Sequence, residues 1–222
     1  MQTDAKFAVL WDMDGTLVDT GEPHYITWRD TLAEIGVPYT RQDFAATFGM
    51  NNFGVLEVVF GKKPDHELAN SLIEKKEELF REMIFQGLEP LPGIMDWLNR
   101  FRQWGVKQAI ASSAPCANID AELDVTGIRP YFDIVISGAD LPHKPNPDIF
   151  LKAATELGVP PERCVVVEDS VAGLGGALAA GMKCIAVTTT HPPEELTAAN
   201  LIFNDLTQMD EKAFLRLTGW EL

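Results

Sequence analysis

The sequence predicts an α/β fold: a Rossmann-like, doubly wound parallel sheet that carries an inserted all-helical domain. From residue 94 onwards, short apolar runs alternate with stretches of helical spacing. Such alternation is typical of a parallel sheet that is covered by helices on both faces. One further apolar run, residues 7–11, precedes a long region with helical spacing and no strand pattern. We therefore predict a core domain of residues 1–16 and 89–222 and a helical cap domain of residues 17–88.

Composition excludes several classes of function. The chain has 222 residues, with 33 acidic and 18 basic side chains and a formal net charge of −15. This charge disfavours a nucleic acid or an anionic membrane as partner, and no apolar run approaches the roughly 20 residues of a membrane span. The first six residues lack the pattern of a secretory signal. We expect a cytoplasmic monomer, in which the widely spaced Cys116, Cys164 and Cys184 are buried thiols.

The region between the first two strands predicts four helices, over residues 22–35, 41–48, 52–60 and 65–86. The first and the longest of them carry apolar residues at helical spacing, Ile35 and Leu68 among them. The charged run 74–78 interrupts the stripe of the longest helix, so we expect it to be solvated. The prolines and glycine of residues 90–93 predict the return to the core domain.

The remaining elements of the core follow in alternation. Asn146 is the expected N-cap of the helix that begins at Pro147, and Gly158 follows its end. The predicted strands cover residues 106–112, 134–137, 164–167, 184–187 and 201–203, and the predicted helices cover residues 94–104, 118–125, 147–157 and 171–180.

The first strand ends in two carboxylates, Asp12 and Asp14. Open α/β sheets bind ligands at the carboxyl edge, and alternate residues of an extended chain point to the same side. Two neighbouring acids repel each other, so a hard cation such as Mg²⁺ is expected between them. Gly15 allows the chain to turn directly afterwards. An acidic turn without a ligand is the alternative explanation.

Three further strand ends carry polar residues. The hydroxyls of Ser112 and Ser113 can hold phosphate oxygens, although an ordinary serine turn has the same sequence. Lys144 precedes two prolines that stiffen its loop, and a fixed lysine can neutralise a transferring phosphoryl group; a solvated lysine is the alternative. Glu168 and Asp169 end a run of valines. Burying both without a counter-ion would cost on the order of several kcal/mol, which a shared cation removes. The alternative is that Asp169 and Ser170 cap the next helix, and both explanations can hold together.

The order of these motifs resembles the haloacid dehalogenase superfamily. An Asp-x-Asp-Gly-Thr strand end is followed by a serine, by Lys-Pro and by Glu-Asp-Ser, each after an apolar run. The resemblance covers nearly the whole chain, and the helical insert resembles the subfamily of β-phosphoglucomutase and small sugar-phosphate phosphatases. The resemblance implies that Asp12 is the nucleophile, Asp14 the general acid/base, Ser112 and Lys144 phosphate ligands, and Asp12, Glu168, Asp169 and the backbone carbonyl of Asp14 the Mg²⁺ ligands.

The implied activity is a Mg²⁺-dependent phosphatase that hydrolyses a small phosphorylated metabolite, such as a sugar phosphate. A covalent aspartyl-phosphate would divide a very slow hydrolysis into two easier steps. Two alternatives stay open: a mutase that interconverts β-glucose 1-phosphate and glucose 6-phosphate, and a non-enzymatic binding module. The module is disfavoured because it would not need both Asp12 and Asp14. Asp14 also argues against dehalogenase or phosphonate-cleaving chemistry, since those relatives lack the second aspartate.

Several residues of the insert bear on the substrate. His24 and Trp28 match residues of β-phosphoglucomutase, and Lys76 falls where that family has a substrate-reaching lysine. A surface histidine, a packing tryptophan and a solvated lysine are the respective alternatives. The mutase has an arginine in a Gly-x-x-Arg loop, whereas Gly49-Met50-Asn51-Asn52 offers only asparagines. The candidate substrate and phosphate contacts are thus Gly15, Ser113, His24, Asn52 and Lys76.

Overall fold

A six-stranded parallel sheet forms the centre of the computed structural model, which describes residues 7–48 and 50–221. Its strand order is β3-β2-β1-β4-β5-β6, and each strand lies where the sequence predicts one. The strands are β1 (Ala8–Trp11), β2 (Lys107–Ser112), β3 (Ile134–Ser137), β4 (Cys164–Glu168), β5 (Lys183–Val187) and β6 (Leu201–Phe203). In the central pair Trp11 lies opposite Val167, so the residues that follow, Asp12 and Glu168, end neighbouring strands. The predicted α/β class is confirmed.

The helices divide into two groups. Between β1 and β2, the described chain forms α1 (Gly21–Ala33), α2 (Arg41–Thr47), α3 (Asn52–Phe60), α4 (His66–Ile84) and α5 (Ile94–Gln103). Later come α6 (Cys116–Thr126), α7 (Asp148–Leu157), α8 (Val171–Ala179) and α9 (Glu211–Thr218), with short 3₁₀ turns at Arg129–Tyr131, Pro161–Arg163 and Leu206–Gln208. Helix α9 is absent from the sequence-based prediction, although Asp210 caps its start and Gly219 ends it.

Helices cover both faces of the sheet. Along β1, Val9 and Trp11 pack into one apolar cluster together with Phe101. Ala8 and Leu10 pack into the cluster on the opposite face, together with Phe150. Burial on both faces explains why the strands are continuous apolar runs instead of alternating patterns.

Helices α1–α4 form what we call the helical segment, residues 21–84, which has an apolar cluster of its own. Trp28 packs in this cluster with Leu32 and Leu56, as the packing alternative expects, and it also lines the cavity at the carboxyl edge of the sheet. The chain enters and leaves the segment side by side, because Val18 forms a β-bridge with Pro90. The exact boundaries of the two predicted domains stay a prediction.

Some local expectations are wrong. Ile35 and Leu68, which helical spacing places among the apolar positions of their helices, are each 42% exposed. Asn146 does not cap α7: its side chain donates to the His143 carbonyl, and Pro147 occupies the N-cap position. Cys116 is exposed at the start of α6, whereas the other two cysteines are buried as predicted.

Parts of the sequence-based interpretation lie outside the described residues. They are the first six residues, for which no secretory signal is predicted, and Gly49 in the loop compared with that of the mutase. Among the described helices, none combines the length and the apolar character that a membrane crossing needs.

Candidate active site

The polar strand ends meet at one cavity of about 330 Å³, between the carboxyl edge of the sheet and the helical segment. All but one of the predicted site residues line it: Asp12, Asp14, His24, Asn52, Lys76, Ser112, Ser113, Lys144, Glu168 and Asp169. The exception is Gly15, which has a left-handed φ of 84°. A Cβ atom there would lie 2.2 Å from Asp169 Oδ2, so its lack of a side chain makes room for that carboxylate.

Lys144 joins two strand-end acids. Its Nζ atom donates to Asp12 Oδ1 at 2.5 Å and to Glu168 Oε1 at 2.6 Å. Burial raises the pKa of Asp12 to about 8, against the opposing attraction of Lys144. Burial alone would lower the pKa of Lys144, but the charges of Asp12 and Glu168 raise it above its usual value. The lysine therefore keeps its positive charge next to the end of β1.

The start of α8 fixes Glu168. Its Oε2 atom accepts hydrogen bonds from Asp169 N, Ser170 N and Ser170 Oγ, each at 2.9 Å. Ser170 also caps α8 through Gly173 N, so the capping alternative holds for this residue. A Cβ atom on Gly173 would lie 1.7 Å from Glu168 Oε1. The glycine-rich helix thus provides the space that this carboxylate occupies.

Asp169 completes a group of three buried acids. Oxygens of Asp12, Glu168 and Asp169 lie within 4.8 Å of one another. Thr16 donates to Asp169 Oδ1 at 3.1 Å and Thr190 donates to Oδ2. Burial, followed by repulsion from the other two acids, raises the pKa of Asp169 well above its usual value. Clustered carboxylate oxygens with one lysine among them fit a hard divalent cation such as Mg²⁺.

Asp14 turns towards the helical segment instead of towards this cluster. Its Oδ1 atom accepts from Thr20 Oγ1 at 2.5 Å and lies 3.3 Å from His24 Nε2. Lys76 Nζ lies 2.9 Å from His24 Nδ1. Because an ammonium group only donates, Nδ1 accepts, and the neutral ring carries its hydrogen on Nε2, facing Asp14. Burial and the charge of Lys76 lower the pKa of His24, which favours this neutral form.

The electrostatics of Asp14 differ from those of Asp12. Burial would raise the pKa of Asp14, but the contacts with His24 and Thr20 lower it below its usual value. Asp14 is therefore a carboxylate in the structure, and its position suits a proton acceptor.

Lys76 is buried, with 1% of its side chain exposed, so the solvated alternative for this residue is wrong. Its Nζ atom lies 3.0 Å from Glu77 Oε1, and Glu77 is buried as well. The reason is visible in the sequence: Lys76 lies four residues after Leu72 and four before Phe80, on the buried face of α4. His24 likewise contacts Asp14 and is not a free surface histidine.

Glu77 connects the helical segment to α6. It accepts from Asn52 Nδ2 at 2.7 Å and from Asn118 Nδ2 at 2.5 Å. The predicted phosphate contact Asn52 thus donates to a carboxylate in this structure. Sequence reasoning missed Glu77, Asn118 and Thr190, because no local pattern marks them and the contacts Asn52–Glu77, Asn118–Glu77 and Thr190–Asp169 join distant parts of the chain.

Other predicted and unpredicted residues complete the surroundings. Ser112 is buried and its Oγ atom accepts from Ala114 N at 3.1 Å. The side chains of Asn51 and His143 form a contact between the helical segment and the Lys144 loop.

Glu122 on α6 is completely buried, and neither of its carboxylate oxygens has a hydrogen-bond partner among the described residues. Burial and then the negative charge of Asp14 raise the pKa of Glu122 well above its usual value.

Comparison with known proteins identifies the class. The haloacid dehalogenase-like hydrolase family matches residues 9–187 of the chain. The chain belongs to this family, as its strand-end motifs predict.

Individual relatives include phosphatases. The fructose-1-phosphate phosphatase YqaB of Escherichia coli (strain K12) is 33% identical over 182 residues, which are 81% of this chain and 95% of that protein. The chloroplastic protein SUPPRESSOR OF QUENCHING 1 of Arabidopsis thaliana is 37% identical over 194 residues, but this chain spans only 18% of it. The structure of β-phosphoglucomutase from Clostridium difficile matches with a TM-score of 0.86 and 25% identity, over 96% of this chain and 97% of that one. The predicted enzyme class, a phosphoric monoester hydrolase, is supported.

Proposed function

We propose that the protein is a Mg²⁺-dependent phosphatase that acts on a small phosphorylated metabolite through a phosphorylated Asp12. The observation that carries the proposal is the convergence of Asp12, Lys144, Glu168 and Asp169 on one cavity that Asp14 also lines. A sugar phosphate is the substrate class favoured by the relative that is named a fructose-1-phosphate phosphatase.

In the first step, a carboxylate oxygen of Asp12 attacks phosphorus and the bond to the leaving oxygen breaks. Lys144 lies beside Asp12 and reduces the negative charge that accumulates there. Bound by Asp12, Glu168 and Asp169, Mg²⁺ would offset the repulsion between nucleophile and phosphate. Without substrate Asp14 is a carboxylate with a lowered pKa. The approach of an anionic phosphate raises that pKa, so Asp14 takes up a proton from the solvent as the substrate binds and passes it to the leaving oxygen.

In the second step, Asp14 acts as a base. It has given its proton to the leaving group, so it accepts one from the water that attacks the aspartyl-phosphate. His24, held by Lys76, keeps an N–H directed at the same carboxylate and fixes its orientation. Phosphate is released and Asp12 is regenerated.

Asp12→Asn tests the proposal, since it retains the shape of the side chain and removes its nucleophilic charge. Turnover of a phosphate monoester should fall by several orders of magnitude, with the fold unchanged by circular dichroism. EDTA should stop the wild-type reaction and added Mg²⁺ should restore it. Near-normal turnover in the variant would contradict the nucleophile assignment, and metal-independent turnover would contradict the Mg²⁺ assignment.

A mutase is the second candidate, and the contact of Lys76 and His24 next to Asp14 favours it together with the similarity to β-phosphoglucomutase. A mutase must also hold the distal phosphate of a bisphosphate, which a fixed arginine does best. The test supplies β-glucose 1-phosphate with a trace of the 1,6-bisphosphate and follows glucose 6-phosphate and free phosphate. Rapid glucose 6-phosphate formation with little free phosphate would replace hydrolysis by the mutase activity.

The proposal includes the remaining predictions about the molecule. The helical segment acts as a cap that closes over the cavity, with hinges at the adjacent connections around Val18 and Pro90. The protein is a cytoplasmic monomer without a nucleic-acid or membrane partner. Small-angle scattering with and without a phosphate-mimicking fluoride complex and Mg²⁺ tests closure, since an unchanged radius of gyration would contradict it.

A further inference from the structure

Part of the cavity side formed by the helical segment is apolar. Five residues of that side, which we call the apolar wall, are Phe44, Phe48, Met50, Phe53 and Ile73; the polar side chains of His24, Asn51, Asn52, Lys76 and Glu77 line the same side. Met50 and Phe53 are 48% and 41% exposed, so these side chains are not needed in the core of the segment. Exposed apolar surface grouped around a cavity is typical of a ligand-binding site.

The positive charges around the cavity already have partners. Lys144 contacts Asp12 and Glu168 at the sheet end. Lys76 contacts Glu77 and is buried, on the opposite side. Within residues 7–48 and 50–221, no arginine lines the cavity. Among the described residues, a second phosphate on the substrate would therefore find no lysine or arginine at the cavity that lacks a carboxylate partner.

From this distribution we propose that the substrate is a monophosphate whose alcohol part is uncharged and presents an apolar face to the apolar wall. The inference rests on the proposed function and names its substrate class: esters of deoxygenated, alkyl or aromatic alcohols are favoured over fully hydroxylated sugars, and bisphosphates are excluded. The phosphate lies at Asp12 and Lys144, and the alcohol extends towards Phe48 and Phe53. Removing the apolar surfaces of both ligand and wall from water provides the selectivity.

A series of monoesters of primary alcohols tests the proposal, because the leaving groups are chemically similar. The compounds are ethyl, n-propyl, n-butyl and n-hexyl phosphate, glycerol 3-phosphate and propane-1,3-diol bisphosphate, each with Mg²⁺ and released phosphate as the readout. We expect kcat/KM to increase by about fourfold per buried methylene. Propyl phosphate should exceed glycerol 3-phosphate at least tenfold, and the bisphosphate should be the poorest substrate.

Phe53→Ser and Phe85→Ser form a matched pair of variants. Both phenylalanines are exposed, but Phe85 at the end of α4 does not line the cavity. Phe53→Ser should lower kcat/KM for hexyl phosphate by about tenfold and so flatten the dependence of kcat/KM on chain length. Phe85→Ser should leave kcat/KM for hexyl phosphate and its dependence on chain length unchanged. Inhibition by alkyl phosphonates, which are not hydrolysed, should show the same dependence on chain length in its inhibition constants.

The outcomes separate this inference from the proposed function. If no monoester is hydrolysed, or if Asp12→Asn has no effect, the proposed function itself fails. Hydrolysis with a flat dependence on chain length, or with preference for glycerol 3-phosphate or the bisphosphate, overturns only the substrate class. Equal effects of Phe53→Ser and Phe85→Ser would contradict the position of the alcohol at the apolar wall.

Discussion

Two buried lysines face the same cavity from opposite sides, and their surroundings differ. Lys144 contacts two carboxylates, those of Asp12 and Glu168, which raise its pKa despite burial. Burial lowers the pKa of Lys76, and its one carboxylate contact, with Glu77, only partly offsets that effect. The number of carboxylate partners thus decides whether a buried lysine holds its charge firmly. Lys144 keeps a positive charge beside Asp12, whereas Lys76 contacts His24, which in turn contacts Asp14.

The largest effect is expected for Lys144→Met, which removes the firmly held charge. Asp12 and Glu168 would lose their common partner, and the phosphoryl group would lose a neutralising cation. Turnover should fall by about a thousandfold or more. Steady-state release of phosphate measures it, with Lys75→Met as the control, since Lys75 is about half exposed and pairs with Glu34 on the surface. A loss below tenfold would mean that the charge of Lys144 is dispensable.

Gly173→Ala tests the same region with one added methyl group. The new Cβ atom would overlap Glu168 Oε1 and displace the carboxylate from Lys144 and from the cluster of acids. Mg²⁺ affinity, measured by calorimetric titration, should fall by about 10- to 100-fold. Gly54→Ala in α3 is the control, because its Cβ would meet its nearest atoms at ordinary contact distances of 3.4 Å or more. Unchanged Mg²⁺ affinity in Gly173→Ala would show that Glu168 is not a ligand.

Glu77→Gln tests the second lysine. Without its carboxylate partner the pKa of Lys76 should fall further, and the donor that orients His24 is weakened. We expect a loss of about tenfold with alkyl phosphates. The loss should be smaller with p-nitrophenyl phosphate, whose leaving group needs little help from Asp14. Glu78→Gln, at the exposed neighbouring residue, should have no effect. Equal losses for both substrates would indicate a structural role for Glu77 instead.

The smallest effect is expected for Glu122→Gln, and it concerns the free energy of unfolding. Its folded-state pKa is raised above the usual value of 4.5. Below pH 4.5 the carboxyl group of Glu122 is protonated in both the folded and the unfolded chain. Above pH 4.5 the unfolded chain releases this proton while the folded chain retains it, so the free energy of unfolding falls as pH rises towards the folded-state pKa. The side chain of Gln does not titrate, so Glu122→Gln should not lose stability in this way.

The free energy of unfolding of Glu122→Gln, relative to wild type, should therefore increase by roughly 1 kcal/mol per pH unit above pH 4.5. Urea denaturation between pH 4 and pH 8 measures the difference between the two proteins, which cancels the titration of other groups. A flat difference for Glu122→Gln would contradict the raised pKa.

The sequence predicts the region around Lys144 better than that around Lys76. Acids and a lysine placed where apolar runs stop are local signals, and a parallel sheet brings such strand ends together. The surroundings of Lys76 depend on how α4 packs against α1 and α6, which no short motif describes. The charged run 74–78 predicts a solvated face, but the spacing of Leu72, Lys76 and Phe80 places the lysine on the buried face of α4.

The same distinction applies to residues that hold other residues in place. Thr16 belongs to the first motif and could be found there, whereas Thr190, which donates to the same carboxylate of Asp169, lies in a loop without a recognisable pattern. Asn118 is likewise identified only by its tertiary contacts, with Glu77 and Arg81. Contacts between distant parts of the chain need the tertiary structure.

The β-bridge between Val18 and Pro90 also bears on how such enzymes diversify. Because Leu91 N donates to Leu17 O at 2.9 Å, the two ends of the intervening chain are fixed next to each other by the sheet side of the molecule. The entropic cost of closing a loop grows only slowly with its length, so this point accepts inserts of very different size. An insert at this point can therefore change in length and sequence while Asp12, Glu168 and Asp169 keep their places at the strand ends.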